Sequence, residues 1–229
     1  MSETQASVKK QLQPPEYWDR LFAPSSCLAM ISTVDINRRP NIGSYGTCTR
    51  VCHDPTYIAF TSGSGKDTTR NILETGEFVV NLPAFERSIL EKVLVAGVPF
   101  APGVNEFEKA GLTPLPASVV KAPLIAECPR HFECRLQWTR EWSGRVMIVG
   151  LVVAAWVNED CVDREGYVIW DKVKSAHYSG ASYDNQFVPA WQSEAFDTPY
   201  HGPERIIVKD GDRSAAELQA REHRMKLTK

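Results

Sequence analysis

The sequence predicts an α+β fold, mainly β, in which a small antiparallel barrel carries short helices packed on it. Three features point there. Short apolar runs alternate with turn residues from Cys27 to Thr61, the stretch His131 to Trp142 has a two-residue apolar period, and Arg145 to Val157 is apolar on both faces. Closely spaced short strands argue for antiparallel neighbours, because parallel strands need long crossovers.

Taken in order, residues 1–15 are polar and end in Pro14-Pro15, which reads as an arm. Tyr17, Trp18, Leu21 and Phe22 have the spacing of a short helix. Cys27 to Val34, Ile42 to Val51 and Tyr57 to Thr61 read as strands, divided by the polar turn DINRRP and by Asp54-Pro55. Residues 62–66 form a glycine-rich turn, and Asp67 to Thr75 is a helix closed by Gly76. Phe78 to Leu82 is a buried strand, Ala84 to Ala96 a helix, and Asn105 to Ala110 a short helix within a loop.

From His131 to Trp142 the even positions are apolar except Arg140, and the odd ones, His131 included, form the solvent side. Arg145 to Val157 needs cover on both faces, supplied by a helix or a partner subunit. With no second cover in the chain, it predicts a homodimer. Tyr167 to Trp170 reads as a last core strand, and Ser214 to Lys226 as a surface helix with capping-box spacing. The division is thus a polar arm over 1–15, a barrel domain over 16–175, and a C-terminal extension over 176–229 that covers the barrel or a partner subunit.

Composition excludes several classes. Of 229 residues, 43% are hydrophobic and 24% charged, which is ordinary globular usage and not that of disorder or a disulfide scaffold. The net charge of −2 lacks the basic footprint of a nucleic-acid binder. The longest apolar run, Val146 to Val157, has 12 residues, against roughly 20 for a spanning helix. MSETQASVKK has no apolar stretch after its charges, so the expectation is a cytoplasmic protein with reduced thiols. Cys48-x-x-x-Cys52-His53 invites a metal reading, but structural zinc draws on two close pairs, and small core residues are the default; no metal is expected. The five histidines are scattered, with no nucleophile–base pair.

The stretch TSGSGKDTTRN, Thr61 to Asn71, is the most informative. Two glycines permit close backbone approach, Lys66 supplies an ammonium, and Asp67 or Thr68 can cap the helix that follows. Free N–H groups, hydroxyls and a cation at a helix N-terminus make an anion site. It is not a Walker loop, because Asp67 follows Gly65-Lys66 where Ser or Thr is required. The bland alternative is a solvated turn with a well-capped helix.

NIGSYGTCTRVCHDP (41–55), KDTTRNILETGEFVVNL (66–82) and GVNEFEKAGLT (103–113) together resemble the flavin reductase-like family of FMN-binding split barrels, related to the reductase components of two-component flavin monooxygenases. The likeness covers roughly Pro24 to Tyr183. It implies a six-stranded antiparallel split barrel, a homodimer, and FMN lying across the strand Ile42 to Val51 and the turn after Thr61. By the resemblance, Ser44, Tyr45, Gly46 and Thr47 run past the isoalloxazine edge. Ser62, Gly63, Ser64, Lys66, Asp67 and Thr68 belong to the cofactor site, with Ser62, Ser64, Lys66 and Thr68 on the 5′-phosphate. His177 is the general-acid candidate, and Tyr178 and Tyr183 the substrate-side candidates.

Two segments depart from the family pattern. Val51-Cys52-His53-Asp54-Pro55-Thr56 stands where Val-Ser-x-Asp-Pro-Pro is frequent, and Tyr178 to Tyr183 replaces a Gly-Gly-x-x-Tyr stretch. The implied activity is hydride transfer from NADH or NADPH to flavin, for delivery to free flavin, a partner monooxygenase or a small acceptor. The alternatives are a flavin-dependent conversion of an organic substrate, and a flavin-binding carrier or sensor without turnover.

Overall fold

The computed structural model describes residues 26–101, 103–180 and 185–192. The arm over 1–15, the helix at 16–22, Tyr183 and the C-terminal helix lie outside these. Its strands are β1 (Cys27–Val34), β2 (Pro40–Cys52), β3 (Tyr57–Gly63), β4 (Glu77–Leu82), β5 (Pro114–Leu115), β6 (Leu124–Ile125), β7 (Arg130–Trp142), β8 (Arg145–Val157), β9 (Ala176–Tyr178) and β10 (Phe187–Pro189). The helices are α1 (Asp67–Thr75), α2 (Arg87–Ala96), α3 (Glu106–Ala110) and α4 (Trp170–Val173).

All pairings are antiparallel, and β1-β2-β3-β8-β7-β4 closes on itself through β4 and β1: a six-stranded barrel with two extra strands. One edge of β1 is divided. Met30–Ser32 pair with β4, whereas Cys27 pairs with His177 of β9, and β10 follows β9 outward. The barrel is split at that point. No helix among the described residues is long and apolar enough to cross a membrane.

The interior is filled by alternate residues of each strand, among them Ala29, Ile31, Ile58, Phe60, Phe78, Val80 and Ile148. Phe60 stacks edge-on with Tyr45 and with Phe78, at centroid distances of 4.9 and 5.6 Å. Gly150 makes room for that stack, since a Cβ there would sit 2.4 Å from Phe78 Cζ and 3.1 Å from Cys134 Cβ. Gly150→Ala is therefore expected to overpack the barrel and cost about 1–3 kcal/mol, read as a lower urea midpoint. A second cluster, with Leu28, Met30, Val93 and Phe107, seats α2 and α3 on the outside of β1 and β2.

Several expectations change. Tyr167 to Trp170 is not a strand: Tyr167 is 73% exposed, Val168 makes one bridge to Val162, and Trp170 opens α4. α2 starts at Arg87 because Ala84 bridges Ser175. In β7 the alternation is broken by register shifts at Glu133/Cys134 and Leu136/Trp138, which turn Trp138 outward, 49% exposed. His131 and Glu133 are on the outer face but buried, because residues 117–125 fold over them. That same segment covers the outer face of β8 at Leu151 and Val153, so the two-faced apolar pattern does not require a partner subunit. The shift between Arg50 and Cys52 pairs Cys52 with Tyr57, placing it opposite to the inward Cys48.

The cover segment is fastened by two polar groups. Glu133 accepts from Ser118 N (3.0 Å), Ser118 Oγ (3.1 Å), Val119 N (2.6 Å), Val120 N (2.9 Å) and Trp156 Nε1 (2.7 Å). Asn81 Oδ1 accepts from Ile125 N at 3.0 Å and meets His131 Nδ1 at 2.8 Å. Burial pulls the His131 pKa down from 6.5 to about 4. The unfolded chain therefore takes up a proton that the folded chain refuses as pH falls from 6.5 towards 4. This should remove up to about 3 kcal/mol of stability across that window. Urea midpoints at pH 7 and 5 should differ less in His131→Gln than in the parent chain.

Candidate functional site

β2 and β3 diverge at the barrel end where α1 begins, and a cavity of about 640 Å³ opens between them, within the usual range for small-molecule sites. The turn between β3 and α1 is held firmly. Ser64 N donates to Gly144 O (3.0 Å), Lys66 N to Gly63 O (3.1 Å), and Thr69 Oγ1 to Gly63 O (2.8 Å). Lys66 is extended at the N-cap of α1, and among the described residues no side chain caps the helix. The first-turn N–H groups have no preceding helical carbonyl, so they and the helix dipole are left for an anion.

Neither Asp67 nor Thr68 acts as the expected cap. Asp67 is inside the helix, paired with Arg70 at 2.7 Å. Thr68 is buried and donates to the Asn41 amide oxygen at 3.1 Å, while the Asn41 amide nitrogen donates to Glu106 Oε1 at 3.1 Å. Tyr45 folds back over Gly43, where a Cβ would lie 2.8 Å from Tyr45 Cε2 and 2.9 Å from Thr68 Oγ1. Its hydroxyl meets Ser62 Oγ at 3.0 Å, and burial raises its pKa. Ser62, Thr68 and Tyr45 thus form an internal polar floor. Ser44 Oγ donates to Val93 O at 2.6 Å, tying β2 to α2, and Thr47 Oγ1 accepts from Thr61 N at 3.0 Å.

All ten residues singled out for the cofactor, Ser44, Tyr45, Gly46, Thr47, Ser62, Gly63, Ser64, Lys66, Asp67 and Thr68, line this one cavity. Its rim also carries Asn41, Gly97–Phe100, Glu106 and Arg145, to which the sequence reading gave no role. Asn41 and Glu106 stand inside the segments 41–55 and 103–113 that carry the family resemblance. Arg145 reaches the turn only because it pairs with Gly63 across β3 and β8, which no local pattern reveals. Burial first, then the nearby Asp67 carboxylate, push the Glu106 carboxyl above its usual range.

A second cavity, of about 610 Å³, adjoins the first and shares Ser44, Tyr45 and Gly46 with it. Tyr178 lines it; a Cβ on Gly46 would be 2.9 Å from Tyr178 Cδ1. His177 lines neither cavity. It lies near Ser26 and Arg130, and burial lowers its pKa. Tyr183 falls outside the described residues. All six cysteines are unpaired thiols, and among the described residues no three His, Cys, Asp or Glu side chains cluster as metal ligands would.

The fold and this cavity define a split-barrel protein of the flavin reductase type. The chain belongs to the flavin reductase like domain family, whose model matches residues 25–177. An uncharacterized protein of Methanothermobacter thermautotrophicus is 34% identical over 179 residues, 71% of this chain and 82% of that one. Another, from Aquifex aeolicus, is 40% identical over 118 residues; the alignment takes in 52% of this chain and only 59% of the Aquifex protein. Two solved structures share the fold. They are Pseudomonas fluorescens 2-nitrobenzoate 2-nitroreductase (TM-score 0.70, 21% identity, 87% and 99% of the two chains) and Bacillus cereus nitrilotriacetate monooxygenase component B (0.68, 23%, 86% and 100%).

Proposed function

We propose that this chain is an FMN-dependent oxidoreductase that takes hydride from NADH or NADPH, for delivery to free flavin, a partner monooxygenase or a small acceptor. One observation carries the reading: the cavity is lined by the uncapped N-terminus of α1 with Lys66 and Arg145, and it shares part of its wall with a second cavity. A phosphate fits that donor set. When bound, the flavin supplies the electron-accepting ring, and the protein supplies placement and electrostatics.

The first-turn N–H groups of α1, Ser64, Lys66 and Arg145 hold the phosphate, and the backbone of β2 from Gly43 to Thr47 sets the ring edge. Ser62, Thr68 and Tyr45 keep that backbone in place through their own hydrogen bonds. Arg70 pairs with Asp67 at 2.7 Å and balances that carboxylate beside the phosphate. Tyr178 stands on the substrate side, within the extension that begins at 176, and His177 takes no part in this reading. Exposed Trp138, Trp142 and Trp156 on the outside of β7 and β8 support a homodimer. Light scattering should then report twice the chain mass of 25.6 kDa. A cytoplasmic location completes the reading.

The test is an absorbance spectrum of the purified chain, followed by anaerobic mixing with NADH and with NADPH. A flavin spectrum that bleaches with either donor is expected. A flavin that stays oxidised would leave a carrier or sensor, and a colourless chain with no affinity for FMN would end the proposal.

A further inference from the structure

We infer that the second cavity is the electron-acceptor site and that it selects uncharged, apolar ring compounds with a reducible group, quinones foremost, over anionic acceptors. This rests on the flavin reading of the first cavity. Its walls come from Leu28 of β1, Val93 and Leu94 of α2, and Tyr178 and Phe187 of β9 and β10. Among the described residues that line it there is no Lys, Arg, His, Asp or Glu. The first cavity is the reverse, with Lys66, Asp67, Glu106 and Arg145 on its walls.

The physics of transfer sets the preference. An anion entering walls without a counter-charge gives up hydration and gains no partner, whereas an apolar ring gains roughly 25 cal/mol for each Å² it buries. Tyr178 and Phe187 meet edge-to-face at 5.6 Å and 64°, a wall against which another ring can stack. Of the polar side chains that line it, Ser44 donates to Val93 O and the Tyr45 hydroxyl meets Ser62 Oγ, and Asn185 can orient a carbonyl. A dinucleotide can bring its nicotinamide here only with its pyrophosphate outside this cavity. The net reaction balances with the reduced nicotinamide as donor: its ring C–H bond breaks, a hydride leaves, and a solvent proton joins. The quinone gains two electrons and two protons as two O–H bonds.

The FMN-loaded chain tests this. Its absorbance spectrum first decides the flavin reading, and a chain that binds no FMN overturns both proposals. Calorimetric titration then compares 1-naphthol with naphthalene-1-sulfonate, and NADH oxidation compares 1,4-naphthoquinone with its 2-sulfonate. At least tenfold tighter binding and tenfold higher kcat/KM are expected for the uncharged member of each pair. Leu94→Lys, which sets an ammonium in the cavity wall, should move both ratios towards the sulfonates. Equal or better binding of the sulfonate by a flavin-loaded chain, or ratios unmoved by Leu94→Lys, would overturn the acceptor assignment and leave the flavin site standing.

Discussion

Lys66→Ala is expected to weaken FMN binding by about 1.5–3 kcal/mol, roughly ten- to a hundredfold, the range for a charge-assisted hydrogen bond. Removing Arg145 as well should weaken it further than either change alone. Both cations line the cavity where α1 begins, and among the described residues no side chain caps that helix, so backbone N–H groups and Ser64 stand beside them as partners for the anion. Riboflavin, which lacks the phosphate, should bind the parent and both variants with nearly the same affinity. Calorimetric titrations with the two ligands separate the outcomes, and equal losses for both would move the phosphate away from this turn. Raising the salt concentration should weaken FMN binding to the parent more than to the double variant, because exposed charges are screened.

The largest effect on stability is expected at Glu133. Its side chain is 0% exposed and accepts five hydrogen bonds, three of them from consecutive backbone N–H groups of Ser118, Val119 and Val120. Glu133→Ala leaves those donors and Trp156 Nε1 without an acceptor, at a cost of about 3–5 kcal/mol. The melting temperature should fall by roughly 10 °C, and amide exchange at Ser118–Val120 should accelerate most. These bonds hold the carboxyl below its usual range. The stabilisation is therefore complete above the ordinary carboxylate pKa and is lost as acid titrates the folded group. A variant that exchanged no faster at these amides would show that Val120, Ala122 and Leu124 hold the segment by apolar contact alone.

Much of the barrel was readable because its signals are local. The helix Asp67 to Thr75, the Gly76 stop, the short helix after Asn105 and the first three strands follow from caps, glycines and short apolar runs. What failed depended on distant partners. His131 and Glu133 have the chemistry of a solvent face, but a segment some fifteen residues upstream of Glu133 closes over them. Trp138 reads as core until a register shift turns it outward, and Tyr167 to Trp170 has strand composition without a strand beside it. At the cavity, the glycine-rich turn and the helix that follows it were legible from their own residues. Arg145 entered only through cross-strand pairing, and the protein partners of the Ser44, Ser62 and Thr68 hydroxyls, set by strands and helices distant in sequence, were not legible either.

The split at β1 also bears on solubility. A strand whose edge is only half paired is a template onto which another chain can add. Here Cys27 meets His177 of β9, and β10 lies outside it, so among the described residues the outermost strand is three residues long and ends in Pro189. Brevity and a terminal proline are the features that discourage further strand addition. Chain lost beyond Lys174, by truncation or proteolysis, would uncover the start of β1 as an adhesive border. Such a product should first betray itself by self-association, detectable as turbidity growing with protein concentration, while the closed part of the barrel still melts cooperatively.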